Sequence, residues 1–359
     1  MRPLLLPLFL FIFLIALAAP ARAFEPAQIT LALVDDDQAR LDVAGLWPDT
    51  CPPQLLEVTT SGHDVLLTAT RERFGCSPSP TPYAFATQTL PLQDLLPAGG
   101  IHRVRLQVED RIGSAPMLIG FALVQSANAT AASGLETGFW WAEQNGEFAA
   151  GPGLGLSIES QGGLISLSVM GYDARGEATW YFGAGALVGG VGHLDLGRFE
   201  GGSGPFTPYA APEGIRLSGA VAVEVLTPSR ATLWFSSIDP NTGALDLKPL
   251  SIVRFHFAQD PSAALLGRWV VTGTQPDGPQ TRWIELVRSQ ALPDGFVLYD
   301  ADGQVSLQCD TPPGRAGSPP VICHLRDENG EAVDFPDIAL RQLSGWDGQG
   351  RRTLAFRLD

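Results

Sequence analysis

Gly138-Phe139-Trp140, Ile158-Glu159-Ser160-Gln161 and Tyr172-Asp173-Ala174-Arg175-Gly176-Glu177 recur in the same order further along the chain. The second set is Gly267-Arg268-Trp269, then Ile284-Glu285-Leu286 with Ser289-Gln290, then Tyr299-Asp300-Ala301-Asp302-Gly303-Gln304. Gly138 to Tyr172 is 34 positions and Gly267 to Tyr299 is 32. Agreement in order and spacing predicts two copies of one structural unit, and such a period constrains the architecture before any single residue is weighed. It also supplies an internal comparison, because a turn must survive duplication while a chemical site need not.

The sequence around these segments alternates with period two. Ile29, Leu31 and Leu33 are interleaved with Thr30 and Ala32, and Val104, Leu106 and Val108 with Arg105 and Gln107. Val221, Val223 and Val225 flank Ala222 and Glu224, and Val253, Phe255 and Phe257 flank Arg254 and His256. Such runs place one face in a core and the other in water. Clusters of Gly, Pro, Asn and Asp separate them, as expected of short strands joined by tight turns. Forty Gly and 29 Pro disfavour long helices. The expected fold is all-β: an N-terminal β-sandwich followed by two related antiparallel β modules, each a sandwich or a small barrel. The expected boundaries are a β-sandwich over 24–125, a small-residue linker over 126–134, one repeat module over 135–258 and a second over 263–359.

Residues 1–23 read as a secretory signal peptide. Arg2 precedes an apolar run from Leu4 to Ala19, and Ala21-Arg22-Ala23 has the small-x-small pattern of a cleavage site. The run is interrupted by Pro7 and falls short of a membrane span. Loss of Arg2 and Arg22 leaves 21 basic residues against 38 acidic ones, a net charge of −17. That balance argues against nucleic acid and against anionic membrane surfaces as partners. The four cysteines fall into two local pairs, Cys51 with Cys76 and Cys309 with Cys323. In an exported chain this predicts two disulfides, each closing a short loop. No CxxC spacing accompanies them, so no metal site is expected and no cofactor is implied. The expected destination is the periplasm, the cell surface or the medium.

Familiar catalytic signatures are missing. There is no G-x-S-x-G elbow, H-E-x-x-H helix or phosphate-binding P-loop. The Asp-rich segment Asp300-Ala301-Asp302-Gly303 resembles the start of an EF-hand loop. Its twelfth position is Thr311 where a bidentate carboxylate is needed, and the first copy has Arg175 in place of Asp302. Both copies are explained by hairpin turns in which Gly176 and Gly303 adopt positive φ. Glu143, Glu147 and Glu159 could supply the carboxylate pair of a secreted polysaccharide-acting hydrolase, the enzyme alternative. In a chain this acidic, neighbouring carboxylates are expected by chance, and no catalytic residue is assigned.

The aromatic residues carry the functional signal. Phe139-Trp140-Trp141 and Trp180-Tyr181 lie in the first copy, and Trp269 and Trp283 in the second. Adjacent residues of a strand point to opposite faces, so one member of each pair is free to meet solvent. Trp140 is matched by Trp269, and Trp180, by residue count, by Leu307. Both therefore read as core. Trp141 and Tyr181, matched by Val270 and Gln308, remain as candidate ligand-binding residues whose rings could stack on a sugar. The segment from Gly138 to Tyr181, with Tyr-Asp-x-x-Gly-x-x-x-Trp-Tyr as its most specific part, resembles a group of exported proteobacterial proteins of unassigned activity. The resemblance covers the first copy better than the second and implies an exported β-rich protein without contributing catalytic residues. The sequence thus predicts an exported, non-catalytic binding or surface-interaction protein, with a glycan or cell-surface component as partner. An outer-membrane barrel fits poorly with strands of about five to eight residues and abundant Pro.

Overall fold

A computed structural model describes residues 25–358 apart from 73, 111–114, 127–133, 145–146, 151–152, 174, 241, 258–259, 276–277, 312–319 and 328–329. The expected signal peptide and most of the expected linker lie outside the described residues. The regular structure of the described residues is almost entirely antiparallel β-strand, in two compact units. One unit holds the described residues up to Leu95 with Val104–Ala122 and Ile238–Leu245. The other holds Leu96–Arg103, Leu123–Ser237 and Asp246–Asp359.

The N-terminal strands are β1 (Gln28–Leu33), β2 (Gln38–Trp47), β3 (Gln54–Ser61), β4 (Asp64–Arg71), β5 (Thr81–Ala86), β6 (Leu90–Pro91), β7 (Ile101–Asp110) and β8 (Met117–Gln125). A single helical turn, α1 (Leu92–Leu95), follows β6. They form two sheets, β1-β2-β5 with β6 beside β2, and β3-β4-β7-β8. Period-two alternation buries Ile29, Leu41 and Val43 of one sheet and Val65, Leu67, Val104, Leu106 and Val108 of the other. A disulfide joins Cys51 to Cys76 across 25 positions.

The first module is a closed eight-stranded barrel. Its strands are β9 (Gly138–Ala142), β10 (Gly155–Gln161), β11 (Leu164–Tyr172), β12 (Ala178–Val188), β13 (Val191–Gly201), β14 (Pro212–Thr227), β15 (Arg230–Ile238) and β16 (Leu245–Arg254). Each strand pairs with the next, and β16 returns to β9. The interior is packed with Trp140, Leu156, Ile158, Leu167, Val223 and Leu233, among others. A filled apolar interior is what a barrel of eight strands accommodates, and it is the inverse of the polar lumen of outer-membrane barrels.

The second module holds β17 (Gly267–Gln275), β18 (Gly278–Leu286), β19 (Arg288–Leu292), β20 (Gly295–Tyr299), β21 (Ser306–Asp310), β22 (Ile322–Arg326), β23 (Ala332–Ile338), β24 (Gln342–Asp347) and β25 (Arg352–Arg357). They form one sheet with β18 and β19 at its two ends. Only Val287 separates these end strands in the chain, and its amide donates to the Tyr299 carbonyl at 2.8 Å. The sheet therefore meets itself through the covalent chain. β18 and β19 act as one kinked strand, whose first part pairs with β17 and second part with β20. Cys309 and Cys323 face each other across β21 and β22, buried in the core, and form a disulfide.

Both barrels are sealed alike where the last strand meets the first. Trp140 pairs with Arg254, and Trp269 with Arg357. The Trp140 indole donates to the Glu136 carbonyl at 3.1 Å, and the Trp269 indole to the Leu265 carbonyl at 2.9 Å. Arg254 donates to the carbonyls of Thr137 (3.1 Å) and Phe139 (2.9 Å), and Arg357 to that of Ala264 (2.6 Å). Gly138 makes the first seal possible, since a Cβ there would lie 2.2 Å from an Arg254 nitrogen and its φ is +131°.

Candidate functional site

The outer wall of the first barrel carries a transverse line of apolar and aromatic side chains. Val253 of β16 pairs with Trp141 of β9, Trp141 with Gly155 of β10, Gly155 with Met170 of β11, and Met170 with Trp180 of β12. The β12–β13 register, carried on from Phe182↔Gly197, sets Trp180 opposite Phe199, which pairs with Ile215 of β14. The Trp180 and Phe199 rings stack at 5.3 Å with 22° between their planes, and Trp180 is 48 % exposed. A second line runs beside the first: Phe139, Ser157, Ser168, Phe182, Gly197 and Leu217. Gly155 and Gly197 leave notches that neighbouring side chains occupy. A Cβ on Gly155 would lie 3.1 Å from the Phe139 ring and 3.4 Å from the Met170 methyl, and one on Gly197 would strike Ile215. The first line ends in a ring cluster in which Trp141 lies 5.7 Å from Phe255, itself 4.9 Å from the exposed Phe257.

Strand alternation accounts for this wall. Along β12 the odd residues from Thr179 to Leu187 turn inward, while Trp180, Phe182, Ala184 and Ala186 turn outward. Tyr181 is thus on the inner side, half-buried against the barrel core, and Trp180 is the member of the pair that meets solvent. Trp141 does face outward, half-buried beneath Phe255, while Trp140 is fully buried. Counting from Tyr172 and Tyr299 matched Trp180 with Leu307. The ladders instead pair Tyr172 with Ala178 and Tyr299 with Ser306, so the second connection is one residue longer. One residue exchanges the two faces of a strand. Trp180 corresponds to the exposed Gln308 and Tyr181 to the buried Cys309.

The aspartates of the Tyr-Asp segments organise turns. Asp173 accepts from the backbone amides of Arg175 (2.9 Å) and Glu177 (3.0 Å), and Asp300 accepts from that of Val305 (3.1 Å). The Glu177 and Arg175 amides hold the Asp173 carboxyl below the usual carboxylate value. Gly176 and Gly303 have φ near +75°. Among the described residues one group of potential metal ligands lies close together, Asp49 with Cys51 and Cys76, but its two sulfurs are consumed in the disulfide.

The carboxylates weighed for a hydrolase lie off these two lines. Glu143 pairs with Arg230, and Glu147 and Glu159 are exposed. The buried Glu224 accepts from the Trp234 indole at 2.8 Å and from Arg103 at 3.0 Å, with the guanidinium lying over the Trp234 ring. Sequence reading missed this cluster because Glu224 sits at the solvent phase of its alternating strand. Two further titratable groups are buried. Burial, reinforced by Arg254, pushes His256 down to about 4. Burial pushes the Asp337 carboxyl up to about 6. No protein-family model matches the chain, and no curated protein matches its sequence.

Proposed function

We propose that this chain is an exported, non-catalytic binding protein that presents the outer wall of its first barrel to a carbohydrate. The stacked, solvent-facing Trp180 and Phe199 rings at the middle of that wall carry the reading. Flat rings on a rigid sheet suit the apolar faces of sugars, and the Ser157 and Ser168 hydroxyls of the adjoining line suit their polar edges. Neither line contains a carboxylate, which favours binding over glycoside hydrolysis. Export is supported by the leader-like N-terminus and by two disulfides, which persist in oxidising compartments. No helix of the described residues is long and apolar enough to cross a membrane. We read the two barrels as copies of one unit, supported by their shared Trp–Arg seal and their matching Asp-led turns.

The test is a glycan array probed with the mature protein and with Trp180→Ala. Saccharide binding that the substitution abolishes supports the reading. An array silent for wild-type protein, or binding indifferent to Trp180, removes it.

A further inference from the structure

The second barrel carries a different line of outward side chains. Arg352 of β25 faces Trp346 of β24, Trp346 faces Asp334 of β23, Asp334 faces His324 of β22, and His324 faces Gln308 of β21. Their strand neighbours Val333, Phe335, Cys323, Leu325, Leu307 and Cys309 point into the core, so the five side chains share the outer face. Trp346 is 53 % exposed. His324 Nδ1 lies 2.7 Å from an Asp334 oxygen, which orients the imidazole while both side chains stay accessible. The neighbouring line runs through Tyr299, Ser306, Arg326 and Ala332 and holds no tryptophan and no histidine–carboxylate pair.

We infer that this line is a second binding position for an extended oligosaccharide. The inference rests on the ligand class proposed above but shares none of the first barrel's residues. Trp346 offers one flat face for stacking, and the groups around it alternate in hydrogen-bonding character: guanidinium donor, carboxylate acceptor, imidazole, then an amide that both donates and accepts. A polyhydroxylated ring needs that mixture, whereas an apolar partner needs none of it. One guanidinium is offset by one carboxylate, so the line selects neither a polyanion nor a polycation by charge. Five strands at about 4.8 Å spacing extend the line over roughly 19 Å, longer than one sugar and suited to an oligomer. With the first wall, the chain holds two positions for one polymer, an arrangement that raises avidity without new contacts.

The test is calorimetric titration of the full mature chain. The probes are hexasaccharides of β-linked glucose, of N-acetylglucosamine, and of alternating N-acetylglucosamine and N-acetylmuramic acid. Wild-type protein is expected to bind the best of these at two sites per chain. Trp346→Ala is expected to leave one site, and His324→Ala to weaken the same site at least tenfold, while Trp180→Ala removes the other. Because Trp346 and His324 lie on the surface, unchanged circular dichroism is expected for both variants. Binding lost with Trp346→Ala but kept with Trp180→Ala upholds this inference and sinks the wall. Binding lost with Trp180→Ala and untouched by Trp346→Ala and His324→Ala overturns this inference alone. No binding of any probe overturns both.

Discussion

Asp337→Asn is expected to stabilise the protein at neutral pH and to do nothing at pH 4. Asp337 sits on β23 where the register to β24 shifts, and one of its oxygens is enclosed without a hydrogen-bond partner. Burial is the largest influence on it. A hydrogen bond from Thr227 and the charge of Arg230 oppose burial, Glu136 adds repulsion, and Arg352 opposes again. The outcome is a carboxyl raised from 3.8 to about 6. A group whose folded value lies above its unfolded value binds its proton more tightly when folded. Its ionisation therefore costs stability in full above about pH 6, and the cost fades as pH falls towards 3.8. A rise of about two units corresponds to roughly 3 kcal/mol, an upper limit that partial solvent access and the buried amide of the replacement reduce to about 1–2 kcal/mol. For a unit of this size each kcal/mol moves the melting temperature by about 2–4 °C. Differential scanning calorimetry should show the asparagine variant melting about 2–8 °C higher at pH 7.5, with coincident curves at pH 4. Equal or lower stability at pH 7.5 would refute the reasoning.

Four further substitutions probe buried groups and links of the barrels. His256 is buried and depressed to about 4, so protonation costs stability progressively as pH falls from 6.5 towards 4; His256→Leu should flatten that acid limb in pH-dependent urea unfolding. Gly138→Ala should cost about 1–3 kcal/mol, because the new methyl meets Arg254 at a positive φ, and a melting temperature within a degree of wild type would refute the seal. Glu224→Ala should cost about 3–5 kcal/mol by leaving Arg103 unpaired in a largely buried setting, measured by denaturant midpoint at constant slope. Replacing both Cys309 and Cys323 with Ala opens a link between positions 14 apart and should cost about 3 kcal/mol; a loss under 0.5 kcal/mol would count against that link's contribution.

Local rules made much of this fold legible. Alternation located the strands, glycines at positive φ marked the Asp173 and Asp300 turns, and sequence spacing paired the cysteines. Closure was not legible, because it depends on β16 reaching β9 and β25 reaching β17 across about a hundred residues. The chain did carry a sign of it, since Val253-Arg254 and Phe356-Arg357 end the two modules with an arginine opposite a tryptophan. Face assignment along β12 failed for a narrower reason. Counting from the tyrosines assumes equal turns, and the one-residue difference between them exchanged Trp180 and Tyr181. The His324–Asp334 pair was invisible because its residues come from different strands and meet only through register.

The most direct measurement is the dissociation constant of the protein for its best-bound array oligosaccharide, compared with Trp180→Ala. A hot-spot ring at the centre of a binding face is worth about 2 kcal/mol, so the substitution should weaken binding tenfold or more with the barrel still folded. An unchanged constant would contradict the assignment of the first barrel's wall as the binding surface.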